Sequence, residues 1–112
     1  IVLEFRRVLF RSSREKEMKF RLEPAHDGKH KWVGVFQDED HEATFRLEQR
    51  GMSDYTIHHD KLRRANYLSR HRTSENWNDP QTAGALSKWI LWGESTSLSA
   101  NVSSFKRRFS LA

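Results

Sequence analysis

Histidine and aspartate lie close together between Asp54 and Asp60, where the sequence comes nearest to a catalytic pattern. His58 or His59 could act as a general base if Asp54 or Asp60 oriented its imidazole. Such neighbours are common by chance, and neither a nucleophile elbow nor a phosphate-binding loop accompanies them. We therefore expect these residues to order the loop before a helix, and we predict no catalytic residues and no enzymatic activity.

The same histidines are weak candidates for metal ligands. His58 and Asp60 could share a face and His71 could approach them, whereas His26 and His30 bracket a turn. A structural zinc site needs four ligands and a catalytic site needs three. The chain has no cysteine, which excludes thiolate ligands and disulfides. We expect neither a metal ion nor a cofactor.

Basic residues form the second chemical pattern. Lys and Arg on one helix face neutralise phosphates, and neighbouring His and Tyr can add hydrogen bonds or stacking. A solvated helix face of ordinary charge density is the competing interpretation. The candidate nucleic-acid-binding residues are Lys61, Arg63, Arg64, Arg70, Arg72, Lys106, Arg107 and Arg108.

Four tryptophans offer a third possibility, a surface that binds another protein. Trp77 and Trp92 are the candidates, since exposed aromatic side chains mark contact surfaces. The competing interpretation is that both fill one core together with Trp32 and Trp89. We favour the core for Trp89, and the sequence leaves Trp92 open.

The elements that must position these residues begin with three strands. Met18, Phe20 and Leu22 alternate with charged residues, the run 31–37 alternates likewise, and Ala43, Phe45 and Leu47 alternate with Thr44, Arg46 and Glu48. Asp27-Gly28 and an acidic run at 38–40 supply the two turns. Two short links between three strands predict an antiparallel meander.

Three helices are predicted to follow. The segment 55–58 is read as extended, and a helix runs from about Asp60 to Arg72 with Leu62, Ala65 and Leu68 on its apolar side. A second begins with Asp79 as N-cap and Pro80 at its first position, buries the stripe of Ala83, Leu86, Trp89 and Ile90, and ends at Gly93. Gly84 within it suggests that another backbone passes close by. The third follows Ser97 and buries Leu98, Val102, Phe105 and Phe109. The predicted fold class is α+β, a three-stranded antiparallel meander followed by three helices packed on one face.

Bulk properties limit the functional classes. The chain of 112 residues has a net charge of +5, with no apolar run near the roughly 20 residues that cross a bilayer. Residues 3–12, LEFRRVLFRS, resemble a translated sequencing adapter, typical of an environmental assembly. We expect residues 1–17 to be an assembly artefact and residues 18–112 to form a single α+β domain. This domain is expected to be intracellular, in host cytoplasm, nucleus or virion, and neither secreted nor in a membrane.

The run from Gly51 to Phe109 resembles a known family. SDYTIHHD and DPQTAGALSKWILW, with the terminal SFKRRF, are similar to small uncharacterised proteins of giant DNA viruses, which carry a domain of unknown function. Leu47-Glu48 and Thr96 depart from that family's pattern. The resemblance implies a viral origin and no particular activity.

Two functions are therefore predicted. The first is a small basic nucleic-acid-binding or nucleoprotein-associated factor that binds DNA or RNA. The alternative is a virion or host protein-interaction module without catalytic activity. The oligomeric state is left open.

Overall fold

Three strands form an antiparallel meander within residues 17–112, the part of the chain that the computed structural model describes. β1 spans Lys19–Pro24, β2 spans His30–Gln37 and β3 spans Glu42–Gln49, in the order β1-β2-β3. Phe20 lies opposite Phe36, which in turn lies opposite Ala43. The predicted meander is confirmed. Our expectation for residues 1–17 falls outside the described residues except at Glu17.

Aspartate side chains close the two turns. Asp27 Oδ1 accepts from the backbone N–H groups of Lys29 and His30, and Asp38 Oδ1 does the same for Asp40 and His41. This pairing is how aspartate stabilises a tight turn. Gly28, between the first two strands, has a positive φ of 75°, which glycine adopts without steric cost.

Helical segments follow the sheet. They are α1 (Tyr55–His58), α2 (Lys61–His71), α3 (Ala83–Leu86) continued by a π-helical turn (Ser87–Leu91), and α4 (Leu98–Arg108). The predicted α+β class is confirmed. The segment 55–58, predicted as extended, is instead one turn of helix, because the side chain of Asp54 accepts from Thr56 N and its carbonyl accepts from the N–H groups of Ile57 and His58.

The core lies between one face of the sheet and the last two helical segments. Phe20, Phe36 and Leu47 come from the strands, and Leu86, Ile90, Leu91 and Phe105 come from the helices. Phe20 is the centre of an aromatic cluster, since its ring centroid lies 4.9 Å from those of both Phe36 and Phe105. The predicted stripe of α4 is confirmed, because Leu98, Val102 and Phe109 pack against this cluster.

The predicted start of α3 is wrong by three residues. Thr82, in extended conformation, is the N-cap and its hydroxyl accepts from Ala85 N. The Asp79 carboxylate is already satisfied locally, because it accepts from Gln81 N. Residues 79–82 therefore form a bend before the helix rather than its first turn.

A π-helical turn shifts the buried face of the tryptophan-rich segment. Trp92 N donates to Ser87 O, five residues back, at 2.9 Å. The fully buried residues are consequently Ala85, Leu86, Ile90 and Leu91, whereas Ala83 is exposed and Trp89 only half-buried. The predicted stripe was wrong at Ala83, which is exposed at the first position of the helix, whereas Trp89 packs against the core as predicted while remaining half-buried.

Close backbone approach occurs at Gly93 rather than at Gly84. A Cβ atom at Gly93 would lie 2.4 Å from the carbonyl oxygen of Trp89 and 2.6 Å from the buried amide of Asn101. At Gly84 the neighbour is the side-chain carboxylate of Glu75, not a backbone as predicted. Gly93 thus lets α3 end directly against α4.

Within residues 17–112 no helix combines the length and the apolar character that crossing a bilayer requires.

Candidate functional site

Charge is divided between the two halves of the domain. Residues 55–112 carry nine Lys and Arg against four Asp and Glu, whereas residues 17–54 carry six against nine. Within residues 17–112, the lysines and arginines that form ion pairs are Arg21, Lys31 and Arg46, all on strands. The helical half is therefore basic, and its cations have no acidic partner among the described residues.

The predicted apolar face of α2 is wrong at Leu62 and Ala65 and right at Leu68. Leu62 is 69% exposed and Ala65 is exposed too, while the half-buried residues Arg64, Tyr67, Leu68 and His71 recur at helical spacing. No residue of α2 is fully buried. The helix therefore packs on the domain through Leu68, an arginine and two aromatic rings, and a search for aliphatic residues alone misplaced most of this face.

Arg64 is bound to the protein rather than extended into solvent. Its Nε donates to the carbonyl oxygens of Trp92 at 3.0 Å and Gly93 at 2.9 Å, and its guanidinium lies 5.6 Å from the ring centroid of Tyr55. These carbonyls have lost their helical partners where α3 ends. Of the predicted phosphate contacts, Arg64 is thus the one that also holds α2 in place.

Four aromatic rings form a row beside Arg64, the aromatic stack, in which the central pair is parallel and the two outer rings are tilted against it. Trp92 and Tyr67 lie parallel, with an interplanar angle of 3° and centroids 4.2 Å apart. The ring centroid of His58, on α1, lies 5.2 Å from that of Trp92. The ring centroid of His71, one turn after Tyr67 on α2, lies 4.3 Å from that of Tyr67. Trp92, which the sequence left open, is therefore half-buried in a stack that joins three helices.

A groove of about 650 Å³ runs along this stack. Arg63 and Arg70 line it from α2, two helical turns apart on one face, and Trp92 lines it from the end of α3. The loop 49–53 forms the opposite wall. The structure thus brings two of the predicted cations, Arg63 and Arg70, together with the aromatic stack.

Glu48 also lines the groove, and sequence reasoning missed it. Strand alternation placed it with Arg46 on the solvent face, but its φ of 54° breaks the alternation and its side chain is only 6% exposed. Lys31 Nζ lies 3.1 Å from Oε1, outside hydrogen-bond geometry, and donates to the carbonyl of Met52. The positive φ was the missing signal, because no residue type in the sequence requires it.

Burial gives Glu48 an unusual acidity. Desolvation, together with the adjacent carboxyl of Asp54, itself 1% exposed, raises the pKa of its carboxyl to about 7. Lys31 opposes both effects. Glu48 Oε1, which lies 3.1 Å from Lys31 Nζ, and Asp54 Oδ2 are both buried and accept no well-aligned hydrogen bond from the described residues.

A second basic cluster surrounds Lys88, which the sequence prediction omitted. Its Nζ lies 3.8 Å from the ring centroid of Trp89 and 5.0 Å from that of Trp77, and Arg108 lies 3.9 Å over Trp89. Burial lowers the pKa of Lys88, and the charges of Arg64 and Arg108 lower it further. The cations of α2 and α4 therefore approach one another around Lys88.

The other predicted cations are dispersed. Arg107 lies with Arg108 in a groove of about 600 Å³ that Trp89 also lines. Lys106 lies elsewhere, in a groove between α4 and the sheet. Lys61 and Arg72 are exposed at the two ends of α2.

The tryptophans proposed as a partner surface are both half-buried. Trp77 lies under Lys88 and accepts from Trp89 Nε1 through its carbonyl at 2.8 Å. The large apolar side chains that are exposed within residues 17–112 are Met52, Ile57 and Leu62. Ile57 and Leu62 lie on either side of the junction between α1 and α2.

The His58 region is built as a helix junction. His58 Nδ1 accepts from Asp60 N, Asp60 caps α2 by accepting from Leu62 N and Arg63 N, and His59 adopts a positive φ of 57° between the two helices. Asp54 caps α1 through Oδ1, which accepts from Thr56 N. Within residues 17–112 no three His, Asp or Glu side chains are grouped so that they could hold a metal ion.

Comparison with known proteins finds one similarity. A model of a family of unknown function, DUF5754, matches residues 20–71, which is the sheet together with α1 and α2. No curated protein and no solved structure matches the chain. The similarity agrees with the expected domain of unknown function, but of the segments that suggested it the match includes SDYTIHHD and not DPQTAGALSKWILW or SFKRRF.

Proposed function

We propose that this domain binds nucleic acid through the basic surface of its helical half, as a non-enzymatic nucleoprotein-associated factor of a giant DNA virus that acts inside the host cell or virion. The observation that carries the proposal is the division of charge, with nine cations on the helical half and no ion pair to them within residues 17–112. Unneutralised cations are what a phosphate backbone attracts. The aromatic rings beside them could stack on bases.

Arg63 and Arg70 are the best candidates for direct phosphate contacts. Both are exposed, lie on one face of α2 and line the same groove. Seven residues of helix separate them by about 10.5 Å along the axis. Arg64 is expected to contribute mainly by holding α2 against α3, because its Nε is already bonded to two carbonyls.

Fluorescence anisotropy with labelled single-stranded and duplex DNA and RNA tests the proposal. The full chain is titrated at several salt concentrations, and log K should fall with log salt by about 0.9 per phosphate contact on duplex DNA and about 0.7 on single strands. The double variant Arg63→Ala/Arg70→Ala should weaken binding and make the slope shallower by one to two contacts.

Arg21→Ala/Arg46→Ala is the matched control, because it removes the same charge from cations that are paired with acids on the sheet. It should leave the salt slope unchanged. Equal losses of affinity in both double variants would mean that only the net charge of the protein matters. Absence of binding at low salt would contradict the proposal.

A protein-interaction role is the second candidate, and the exposure of Ile57 (54%) and Leu62 (69%) favours it. Such a module would contact a viral or host protein at the α1–α2 junction rather than through Trp77 and Trp92. Replacing Leu62 by serine should abolish capture of a bound partner from infected cells without affecting the melting temperature.

A further inference from the structure

We infer that α2 binds in the major groove of duplex DNA, with its exposed face against the edges of the base pairs. This inference rests on the proposed function and specifies its ligand. Three features of the helix carry it: its positive charge, the placement of its cations on two opposite flanks, and the short uncharged side chains between those flanks.

α2 carries more positive charge than any other helix of the domain. From Lys61 to Arg72 the chain holds five Lys and Arg and neither Asp nor Glu. One side of the helix is held against the domain by Arg64 and the aromatic stack. No residue of the helix is fully buried, so its opposite side is available to a partner along its whole length. The phosphate backbone of DNA supplies the counter-charge that the protein does not.

The exposed cations of α2 lie on two flanks. Arg63 and Arg70 are two turns apart on the first flank. Lys61 and Arg72 are about three turns apart on the second. Because Lys61 and Arg63 are separated by about 200° around the helix axis, the two flanks face in nearly opposite directions. A helix in the major groove lies between two sugar-phosphate strands, so each flank would meet one of them.

The protein leaves room for a strand beside the first flank. Arg63 and Arg70 border the groove of about 650 Å³ between α2 and loop 49–53. One sugar-phosphate strand can enter this groove while the face of the helix between the two flanks meets the base pairs. The groove thus serves the helix as a channel for the DNA backbone.

The face between the flanks is uncharged and consists of Leu62, Ala65, Asn66 and Ser69, all of them exposed. Its short side chains let the helix backbone approach the base pairs. The amide of Asn66 carries a donor beside an acceptor, which matches the major-groove edge of adenine. An α-helix with its side chains is about 10–12 Å across, and the major groove of B-form DNA is about 12 Å wide. The deep and narrow major groove of duplex RNA does not admit a helix.

The test titrates the full chain into one labelled sequence, prepared as duplex DNA, duplex RNA and single-stranded DNA. Anisotropy should show duplex DNA bound about ten-fold more tightly than duplex RNA, because only the B-form groove admits the helix. Dimethyl sulfate then identifies the groove, since it methylates guanine N7 in the major groove and adenine N3 in the minor groove. The full chain should protect guanine N7 and leave adenine N3 reactive.

Two variants test the placement of the helix. Asn66→Asp puts a negative charge at the centre of the exposed face without changing the shape of the side chain, and it should weaken binding to duplex DNA about ten-fold. Asn78→Asp, the same exchange at an exposed residue outside α2, is the matched control and should weaken binding far less. Lys61→Ala/Arg72→Ala should make the salt slope shallower by about one to two contacts, as the double variant of the first flank does. Thermal melting verifies that each variant is folded.

The outcomes separate this inference from the proposed function. Salt-dependent binding with equal affinity for the three ligands, or tighter binding of the single strand, would overturn the major-groove inference and leave the basic surface in place. Absence of binding to all three ligands would overturn both. Protection of adenine N3 alone, or equal losses of affinity in Asn66→Asp and Asn78→Asp, would show that α2 does not enter the major groove and would overturn the inference even where duplex DNA is preferred.

Discussion

Glu48→Gln should stabilise the protein at alkaline pH and have little effect at acidic pH. In the folded protein, burial and Asp54 raise the pKa of Glu48 from 4.5 to about 7. Between these two pH values the folded state keeps a proton that the unfolded state has released, so the free energy of unfolding falls as pH rises through this interval. Above pH 7 the ionised carboxylate imposes its full desolvation cost.

The size of the effect follows from the shift in pKa. One pKa unit corresponds to about 1.4 kcal/mol, so the shift is worth roughly 3 kcal/mol for the carboxyl pair as a whole. A glutamine at this position keeps the side-chain shape and the positive φ, and its amide can donate to Asp54 at every pH. We expect the variant to gain about 2 kcal/mol at pH 8.5 and close to nothing at pH 5.

Urea unfolding of the full chain and the variant at pH 5 and pH 8.5 measures this difference. Glu42→Gln is the control, because Glu42 is half exposed and its carboxylate lies 3.7 Å from Arg21 at the surface. The difference in unfolding free energy between variant and protein is compared at the two pH values, so the contributions of titratable groups that both proteins share cancel. A pH-independent effect of Glu48→Gln, or a loss of stability at pH 8.5, would refute the argument that the carboxyl is buried at a cost.

Three further predictions concern how the helices are held, each measured by urea or thermal unfolding. Arg64→Ala should cost about 1–3 kcal/mol because it leaves two carbonyls at the end of α3 unpaired, whereas Arg72→Ala, exposed on the same helix, should cost almost nothing. Gly93→Ala should destabilise by roughly 2 kcal/mol or more because its Cβ would strike a backbone carbonyl, but Gly84→Ala should be nearly neutral because the group in its way is a mobile carboxylate. Asn101→Ala should cost about 2–4 kcal/mol, since it removes three hydrogen bonds from a buried amide that joins α4 to the end of α3.

The sheet was predictable because its signals are local. Alternation of apolar and charged residues identifies each strand and its buried face, and two aspartates identify the turns. A register error of one residue would expose Phe20 and Phe36 together, so the hydrophobic pattern leaves little choice of pairing. The amphipathic stripe of α4 was predictable for the same reason.

The helices between the sheet and α4 were harder to predict, because tertiary contacts determine where they begin and which face they bury. Asp79 and Thr82 are both suitable N-cap residues. The sequence alone does not show which of the two side chains will accept a hydrogen bond from the first turn of the helix. The π-helical turn after Leu86 inserts one residue into the helical period, which moves every later side chain to a new face. In α2 the inward face is formed by Arg64, Tyr67, Leu68 and His71, and one leucine is too little to mark such a face by hydrophobic periodicity.

The candidate site depends most on the single feature that local rules predict least. Glu48 occupies a strand position whose side chain should point to solvent beside Arg46, and a positive φ turns it into the domain instead. A non-glycine residue pays for that conformation with roughly 1–3 kcal/mol, and here the turned side chain also carries a carboxyl that resists ionisation. Both costs fall on a residue that lines a groove together with Arg63 and Arg70, which have no acidic partner within residues 17–112, and with the stacked rings of Tyr67 and Trp92. Local rules therefore miss Glu48 twice, in its backbone conformation and in the burial of its carboxyl beside Asp54 and Lys31.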